Sequence, residues 1–232
     1  MISKTMHAAQ PRNHTVTNAT TTDAGRKHSR PRARTRYELL LTVIRALADP
    51  SNKSCSEMRS VLQRSDLSED DRRRASESID DLVVAIAERE AHLIAEPLAI
   101  SGHPHSMEQV QRSLMEFGRV AWREYSTVLV GFVRMVMTES ACHPALRKKI
   151  YEAGPAFVTL QLREYLAEAN ARGIISISNA ELCAEQLMGM LREPLYKALM
   201  LSPVHDGVPE EQVQTCVQRF LKGCDTARSC MP

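Results

Sequence analysis

The chain has 232 residues, of which 43% are hydrophobic and 25% are charged, an ordinary balance for a globular protein in water. Its nine glycines and its 4% of aromatic residues argue against a turn-rich β-sheet architecture. No apolar run approaches the roughly 18 residues that a membrane-spanning helix needs, and the N-terminus lacks the apolar core of a secretory signal. We therefore expect a helical, cytoplasmic protein without a membrane partner.

The cysteines and the known catalytic motifs give no indication of a cofactor. The six cysteines include no CxxC pair and no cluster with histidine at the spacing of a zinc site. Cys183 and Cys216 lie on apolar helical stripes, where buried and inert thiols are expected. The chain also lacks a Gly-x-Ser-x-Gly elbow, a P-loop and a dinucleotide fingerprint. An enzyme is therefore the least expected class, and we predict no metal or organic cofactor.

The positive charge is concentrated at the N-terminus. Residues 1–36 carry eight Lys or Arg and a single Asp, whereas the whole chain has a net charge of only +2. Residues 1–30 contain almost no large apolar side chains and are expected to form a disordered basic tail. Such an arm, placed directly before a helical head, can contact phosphates or enter a minor groove, and a solvated tail is the alternative. Its candidate DNA contacts are Arg30, Arg32, Arg34 and Arg36.

Three short helices are predicted after the arm, in a head that spans residues 31–78. Apolar residues from Leu40 to Leu47 recur at the spacing of one buried helical face, and Asp49-Pro50 ends that helix. The segment Ser54–Glu57 predicts a capping box for the second helix, and Ser68–Asp71 predicts the cap of a third, highly charged helix. Three short helices behind a basic arm indicate a helix-turn-helix.

Longer helices are predicted over residues 79–224, before a flexible terminus at 225–232. The first of them, from about Ile79 to Leu98, would join the head to this body. Only Ile174–Ile177 offers a possible strand, so the fold class is all-α with about nine helices. The predicted boundaries are a cap at Ser106–Gln109, a stop before Pro144, a Gly173 in the C′ position, a cap at Ser178–Glu181, a kink or end at Pro194 and a start at Pro209.

A series of short motifs follows in a characteristic order between Val133 and Leu191. These motifs are Arg134–Glu139, His143–Leu146, Ala153–Pro155, Tyr165-Leu166, Arg172-Gly173 and the helix Ala180–Leu191. In this order and spacing they resemble the ligand-binding body of TetR-family transcriptional regulators. The resemblance implies a homodimer with a helix-turn-helix head on a helical-bundle body that binds ligand and dimerises.

The head departs from the pattern of that family. The family's turn between the second and third helices reads roughly Ala-Gly-Val-Ser, where this chain has Ser65–Ser68. Arg73 and Ser76 stand where the family has a tyrosine and a phenylalanine. Carboxylates at Glu69–Asp71 suit the helix dipole but oppose DNA phosphates, and Arg72–Arg74 either offset them toward DNA or pair with them. The candidate DNA contacts of the head are Ser56, Ser68, Arg72, Arg73 and Arg74.

The resemblance also implies a central pocket, which we expect to be closed and mostly apolar. Methionine and aromatic residues lie on the helices that would enclose it, although a stripe of such residues usually serves packing. The expected effector is small and apolar or amphipathic. The candidate lining residues are Met107, Met115, Trp122, Phe132, Met135, Phe157 and Met188.

A four-helix dimer interface is implied for helices near residues 179–200 and 209–223. Their apolar stripes would otherwise remain exposed, and the candidate interface residues are Leu187, Leu191, Leu195, Val213, Val217, Phe220 and Leu221.

Together these features predict a ligand-responsive transcriptional regulator that binds double-stranded DNA. The favoured form is a repressor that the effector releases from a palindromic operator, with the joining helix near 79–98 transmitting the change. The alternative is a TetR-like dimer that has lost sequence-specific DNA binding and serves as a ligand- or protein-binding module.

Overall fold

The computed structural model describes residues 35–49, 58–139, 144–201 and 210–226. Every regular element in these ranges is helical, which confirms the all-α fold class. The described residues form one compact unit. None of their helices combines the length and the apolar character that crossing a membrane requires.

Three short helices make up the head: α1 (Arg36–Ala48), α2 (Met58–Arg64) and α3 (Glu69–Glu77). A capping box begins α1, in which Thr35 Oγ1 accepts from the Glu38 amide and Glu38 Oε2 accepts from the Thr35 amide. The predicted cap of α3 is confirmed, since Ser68 Oγ accepts from the Asp71 amide at 3.2 Å. The capping box predicted at Ser54–Glu57 lies outside the described residues.

The body contains eight α-helices in the described ranges, and a π-helical turn at Glu152–Ala156 joins two of them without a break. This turn surrounds Pro155, which has no amide hydrogen to donate to the regular helical ladder. The eight helices are α4 (Ile79–Ser101), α5 (Met107–Ser126), α6 (Val128–Glu139), α7 (Pro144–Tyr151), α8 (Phe157–Ala171), α9 (Ala180–Leu191), α10 (Glu193–Leu201) and α11 (Glu210–Thr226).

Eleven α-helices are therefore described, against about nine expected. One additional boundary is Thr127, a non-helical residue that separates α5 from α6. Another is Arg192, which separates α9 from α10, and Pro194 follows in the first turn of α10, where a missing amide hydrogen costs nothing. The predicted break at Pro194 is confirmed.

The end of α8 follows the predicted glycine stop. Gly173 has φ +70° and donates to the Asn170 carbonyl at 2.9 Å, while the Ile174 amide donates to the Ala169 carbonyl at 3.0 Å, which is a Schellman motif. The possible strand at Ile174–Ile177 is irregular, and Asn179 instead of Ser178 caps α9 by accepting from the Leu182 amide.

One hydrophobic core extends from the head into the body, and α4 lies at its centre. This helix contacts α1 and α3 of the head and α5, α7 and α8 of the body. A second contact joins head and body where α1 crosses α6. A Cβ added to Gly131 of α6 would lie 2.9 Å from the Leu47 carbonyl oxygen, so only glycine permits this approach.

Replacing this glycine should therefore loosen the contact between the head and α6. We expect Gly131→Ala to lower the free energy of unfolding by roughly 1–3 kcal/mol, because the added methyl group would meet backbone. The matched control is Gly154→Ala, whose Cβ would lie an ordinary 3.5 Å from that of Ala87. Urea unfolding followed by circular dichroism measures both, and equal stability of the two variants would contradict the proposed close contact.

Candidate functional site

A largely apolar cavity of about 610 Å³ lies in the body. Every helix from α4 to α8 contributes to its wall, as does α10. Three of its lining residues, Met137, Tyr151 and Tyr196, are largely exposed, so the cavity opens to solvent on their side. The sequence predicted a closed pocket, whereas the cavity in the structure is open on one side. The apolar wall includes Ala87, Ile94, Leu129, Phe132, Val133, Val136, Ile150, Val158, Leu195 and Leu199.

A small number of polar groups interrupt this apolar wall. Arg147 and Arg192 are among its lining residues, and Tyr125 contributes a buried phenol. Burial raises the pKa of the Tyr125 hydroxyl, and the neighbouring Arg192 guanidinium opposes that rise. A mainly apolar cavity with a few polar groups is the usual form of a small-molecule site.

Glu90 of α4 is the one acidic residue among the described lining residues, and its side chain is only 1% exposed. Its Oε1 forms an ion pair with Arg89, whereas Oε2 is buried and has no hydrogen-bond partner. Burial raises the pKa of Glu90 to about 7, the nearby Glu124 carboxyl adds to the rise, and Arg89 opposes it. Glu124 itself accepts from Arg123 Nε at 3.0 Å.

The candidate pocket residues fall into three groups. Phe132 lines the cavity. Phe157 instead lines a separate groove of about 380 Å³, where its ring lies 4.5 Å from that of His92. The remaining five pack into or against the core and line neither of these two spaces; they are Met107, Met115, Trp122, Met135 and Met188.

The physical reason is helical phase. Of the buried face of α5 only Tyr125 reaches the cavity, because the rest packs against neighbouring helices. Sequence reasoning missed Glu90, Tyr125 and Arg192. Glu90 carried a detectable signal, since it lies four residues from both Ile86 and Ile94 on the buried face of α4.

The candidate dimer residues are buried without a partner subunit. All seven are buried within a single chain, which removes the argument that their stripes need a partner, and they are Leu187, Leu191, Leu195, Val213, Val217, Phe220 and Leu221. The stripe of α11 packs on α5, where Val213 Cγ1 lies so close to Gly118 that an added Cβ would be only 2.7 Å away. Leu195 lines the cavity.

The candidate DNA contacts of the described head occupy different environments. Ser68 caps α3 through its side chain. Arg72 Nη1 donates to the Gln63 carbonyl of α2 at 3.3 Å, and Arg74 pairs with Asp71, whose side chain is 5% exposed. Arg73 is 71% exposed and lies 3.4 Å from the exposed Asp70 carboxylate.

A surface cleft between α2 and α3 brings further charge to the head. Arg59, which sequence reasoning missed, lines it together with Arg72 and Arg73, and Glu69 and Asp70 line it as well. Arg36 is exposed at the start of α1. The other candidates, Arg30, Arg32, Arg34 and Ser56, lie outside the described residues.

Similarity to known proteins agrees with this architecture. Residues 114–222 match the family model of the AefR-like transcriptional repressor C-terminal domain. A protein from Mesorhizobium loti MAFF303099 described as a TetR-family transcriptional regulator has the same fold, with a TM-score of 0.61 at 17% identity. The flavonoid-responsive regulator FrrA matches with a TM-score of 0.52 at 23% identity, and each match covers 82% of this chain and 98% of the other. No curated protein sequence gives a significant match.

The described residues thus form a helical protein with a small head on a larger body. Residues 114–222 are similar to the C-terminal domain of AefR-like transcriptional repressors, and the chain shares the fold of a TetR-family regulator.

The raised pKa of Glu90 predicts a specific dependence of stability on pH. Because the folded protein holds this proton more tightly than the unfolded chain, the stabilisation is complete below the ordinary pKa of 4.5 and is lost as the pH rises through about 7. The Glu90→Gln variant has no carboxyl group at this position and so does not lose stability in this way. Between pH 5 and pH 8, we expect its free energy of unfolding to rise by about 2 kcal/mol relative to that of wild type.

Chemical denaturation at both pH values measures this difference. Glu88→Gln, on the exposed face of the same helix, is the matched control and should follow wild type. Parallel pH dependence of wild type and Glu90→Gln would show that Glu90 does not titrate in this range.

Proposed function

We propose that the protein is a homodimeric, ligand-responsive DNA-binding repressor whose effector occupies the cavity of the body. The observation that carries this proposal is the double role of α4 and α6, since both line the cavity and both contact helices of the head. A ligand that shifts either helix therefore acts directly on the orientation of the head.

The route through α6 is short. Leu129, Phe132 and Val133 line the cavity, while Gly131 lies against the Leu47 carbonyl of α1. The route through α4 is equally direct, because Ser78 alone separates α4 from α3. Both segments are closely packed, so displacements at the cavity are passed on and not absorbed.

The cavity favours a small amphipathic effector with a ring system. Its volume of about 610 Å³ falls in the roughly 300–1,000 Å³ range of small-molecule pockets. Aromatic rings from Tyr125, Phe132, Tyr151 and Tyr196 contribute to a wall that is otherwise mainly aliphatic. FrrA, which has the same fold, is a flavonoid-responsive regulator, and this agrees with an effector of that size and character.

In this proposal the basic arm supplies affinity for DNA and Arg73 supplies sequence discrimination. Arm cations supply affinity that is independent of sequence, through release of counterions from the phosphates. Arg73 is the most exposed of the three arginines of α3 and therefore the best suited to reach a base edge. The first test is an electrophoretic shift with the DNA that flanks the protein's own gene.

The competing proposal is a TetR-like dimer that no longer reads DNA. It is supported by the pairing of Arg73 with Asp70 and of Arg74 with Asp71, which offsets positive charge on α3. Absence of salt-dependent DNA binding by the full-length chain, even at low ionic strength, would favour this module over the repressor.

The two sources of DNA affinity can be separated by variants. Deletion of residues 1–34 should weaken binding to every DNA sequence and flatten its salt dependence. Arg73→Ala should reduce the discrimination between operator and random DNA by roughly 1–3 kcal/mol, the value of a good bidentate base contact. Fluorescence anisotropy at several salt concentrations measures both effects.

Arg112→Ala, on the exposed face of α5, is the control for loss of a positive charge outside the head. If Arg73→Ala weakens operator and random DNA equally, Arg73 binds phosphate and does not read bases.

The dimer interface is proposed on the exposed faces of α9 and α11. Leu182 and Gly189 lie on the exposed face of α9, and Gly223 lies on that of α11. A Cβ at either glycine would meet nothing within 4 Å in the single chain, which leaves room for a partner helix to approach closely.

A charge on this face should therefore separate the subunits. We expect Leu182→Glu to be monomeric at micromolar concentration, because the dimer would bury an unpaired carboxylate. Leu160→Glu, at a comparably exposed leucine of α8, should remain dimeric; the two side chains are 49% and 37% exposed. Light scattering decides the question, and a monomeric wild-type protein would rule out the dimer altogether.

A further inference from the structure

The Oε2 atom of Glu90 is buried and receives no hydrogen bond from a donor group of the described residues. The neighbouring Glu124 carboxyl can share a proton with Glu90 only while one of the two acids is protonated. Burying a polar group without a hydrogen bond is costly, and buried polar atoms in proteins nearly always have a partner. Here Oε1 is satisfied by Arg89 while Oε2 is buried without one, in a residue that lines the cavity. The partner of Oε2 is therefore expected to come from whatever fills the cavity.

We propose that Glu90 is the specificity-determining residue of the cavity and that its Oε2 accepts a hydrogen bond from a phenol-type hydroxyl of a neutral aromatic effector. This inference rests on the proposed function, because it assigns the chemistry of the effector within the same cavity. The carboxylate forms a charge-assisted hydrogen bond with the hydroxyl, which is stronger than a neutral one.

The remaining charges of the wall favour a neutral hydroxyl over an organic cation. Arg147 and Arg192 outnumber Glu90 among the described lining residues, so the wall carries an excess of positive charge. An ammonium ligand would gain one partner at Glu90 but would enter a cavity whose described lining residues carry a net positive charge. A neutral hydroxyl satisfies Oε2 without repulsion from that charge.

The site should respond to pH near neutrality. The titratable or charged groups that face Glu90 or share its cavity are Arg89 on α4, Glu124 and Tyr125 on α5, Arg147 and Tyr151 on α7, Arg192 before α10 and Tyr196 on α10. Burial and Glu124 raise the pKa of Glu90 to about 7. A hydroxyl donor binds the ionised carboxylate, so at lower pH binding must release the Glu90 proton. Affinity therefore falls below pH 7, by up to about tenfold for each pH unit.

The experiment uses three ligands that share one biphenyl frame. These are 4-phenylphenol, its methyl ether 4-methoxybiphenyl and the cation formed by 4-phenylbenzylamine. The phenol stays neutral at pH 7.5, because a phenolic pKa is about 10. Isothermal titration calorimetry on the full-length protein without DNA measures binding to wild type, Glu90→Gln and the control Glu88→Gln.

We expect wild type and Glu88→Gln to bind the phenol at least tenfold more tightly than the ether at pH 7.5. This preference should disappear in Glu90→Gln. The affinity of wild type for the phenol should fall at least tenfold between pH 7.5 and pH 5.5, whereas the affinity of Glu90→Gln should not change. Comparison of phenol with ether on wild type tests the proposal even if the variant folds poorly.

Three results would overturn the proposal: equal affinity for phenol and ether, tighter Glu90-dependent binding of the amine, or no binding of any of the three ligands. Failure of the proposed function looks different. In that case the phenol would bind through Glu90, but neither it nor any other cavity ligand would release DNA. Release of DNA by the ether and the phenol alike would leave the proposed function intact and overturn only the role of Glu90.

Discussion

The position of α4 is the constraint on which the rest of the structure depends. This helix of 23 residues follows α3 after a single residue, contacts α1, and packs against α5, α7 and α8. Small side chains make this crowding possible, as where Ala87 meets Gly154 of the π-helical turn. Because α4 belongs to the core of the head and to the wall of the cavity, neither region can shift it without affecting the other.

An unsatisfied carboxylate on such a helix is expensive, on the order of 1–3 kcal/mol for an unpaired polar group and more when it is charged. The raised pKa of Glu90 reflects the free-energy cost of burying the ionised carboxylate, since protonation removes the charge. Glu124 lies nearby in the same buried region, so two carboxyl groups share a poor environment for charge. A hydrophobic residue in place of Glu90 would cost less in the empty protein, which is why we interpret Glu90 as serving the bound state.

How well the sequence predicted each feature depended on how local its cause is. The Ser68 cap, the Gly173 stop and the break before Pro194 each depend on a few neighbouring residues, and each was predicted. The stripes of α9 and α11 were correctly placed, but periodicity cannot tell whether a buried face meets its own chain or a partner. Val213 meets Gly118 of α5, a contact between residues far apart in sequence. The residues that line the cavity were harder still to predict. A small rotation of a helix about its axis decides whether a methionine packs into the core or lines the cavity.

The head shows how burial changes the meaning of a charge pattern. From the sequence, Glu69, Asp70 and Asp71 form one acidic patch at the start of α3. In the structure Asp71 turns inward, with its side chain 5% exposed and paired with Arg74, so only Glu69 and Asp70 remain at the surface. The repulsion of phosphates is therefore smaller than the sequence implies, but the same ion pair restrains Arg74. Since both signs of charge are reduced together, the electrostatic balance of α3 stays close to neutral. The DNA affinity of the proposed repressor must therefore come largely from cations outside this helix.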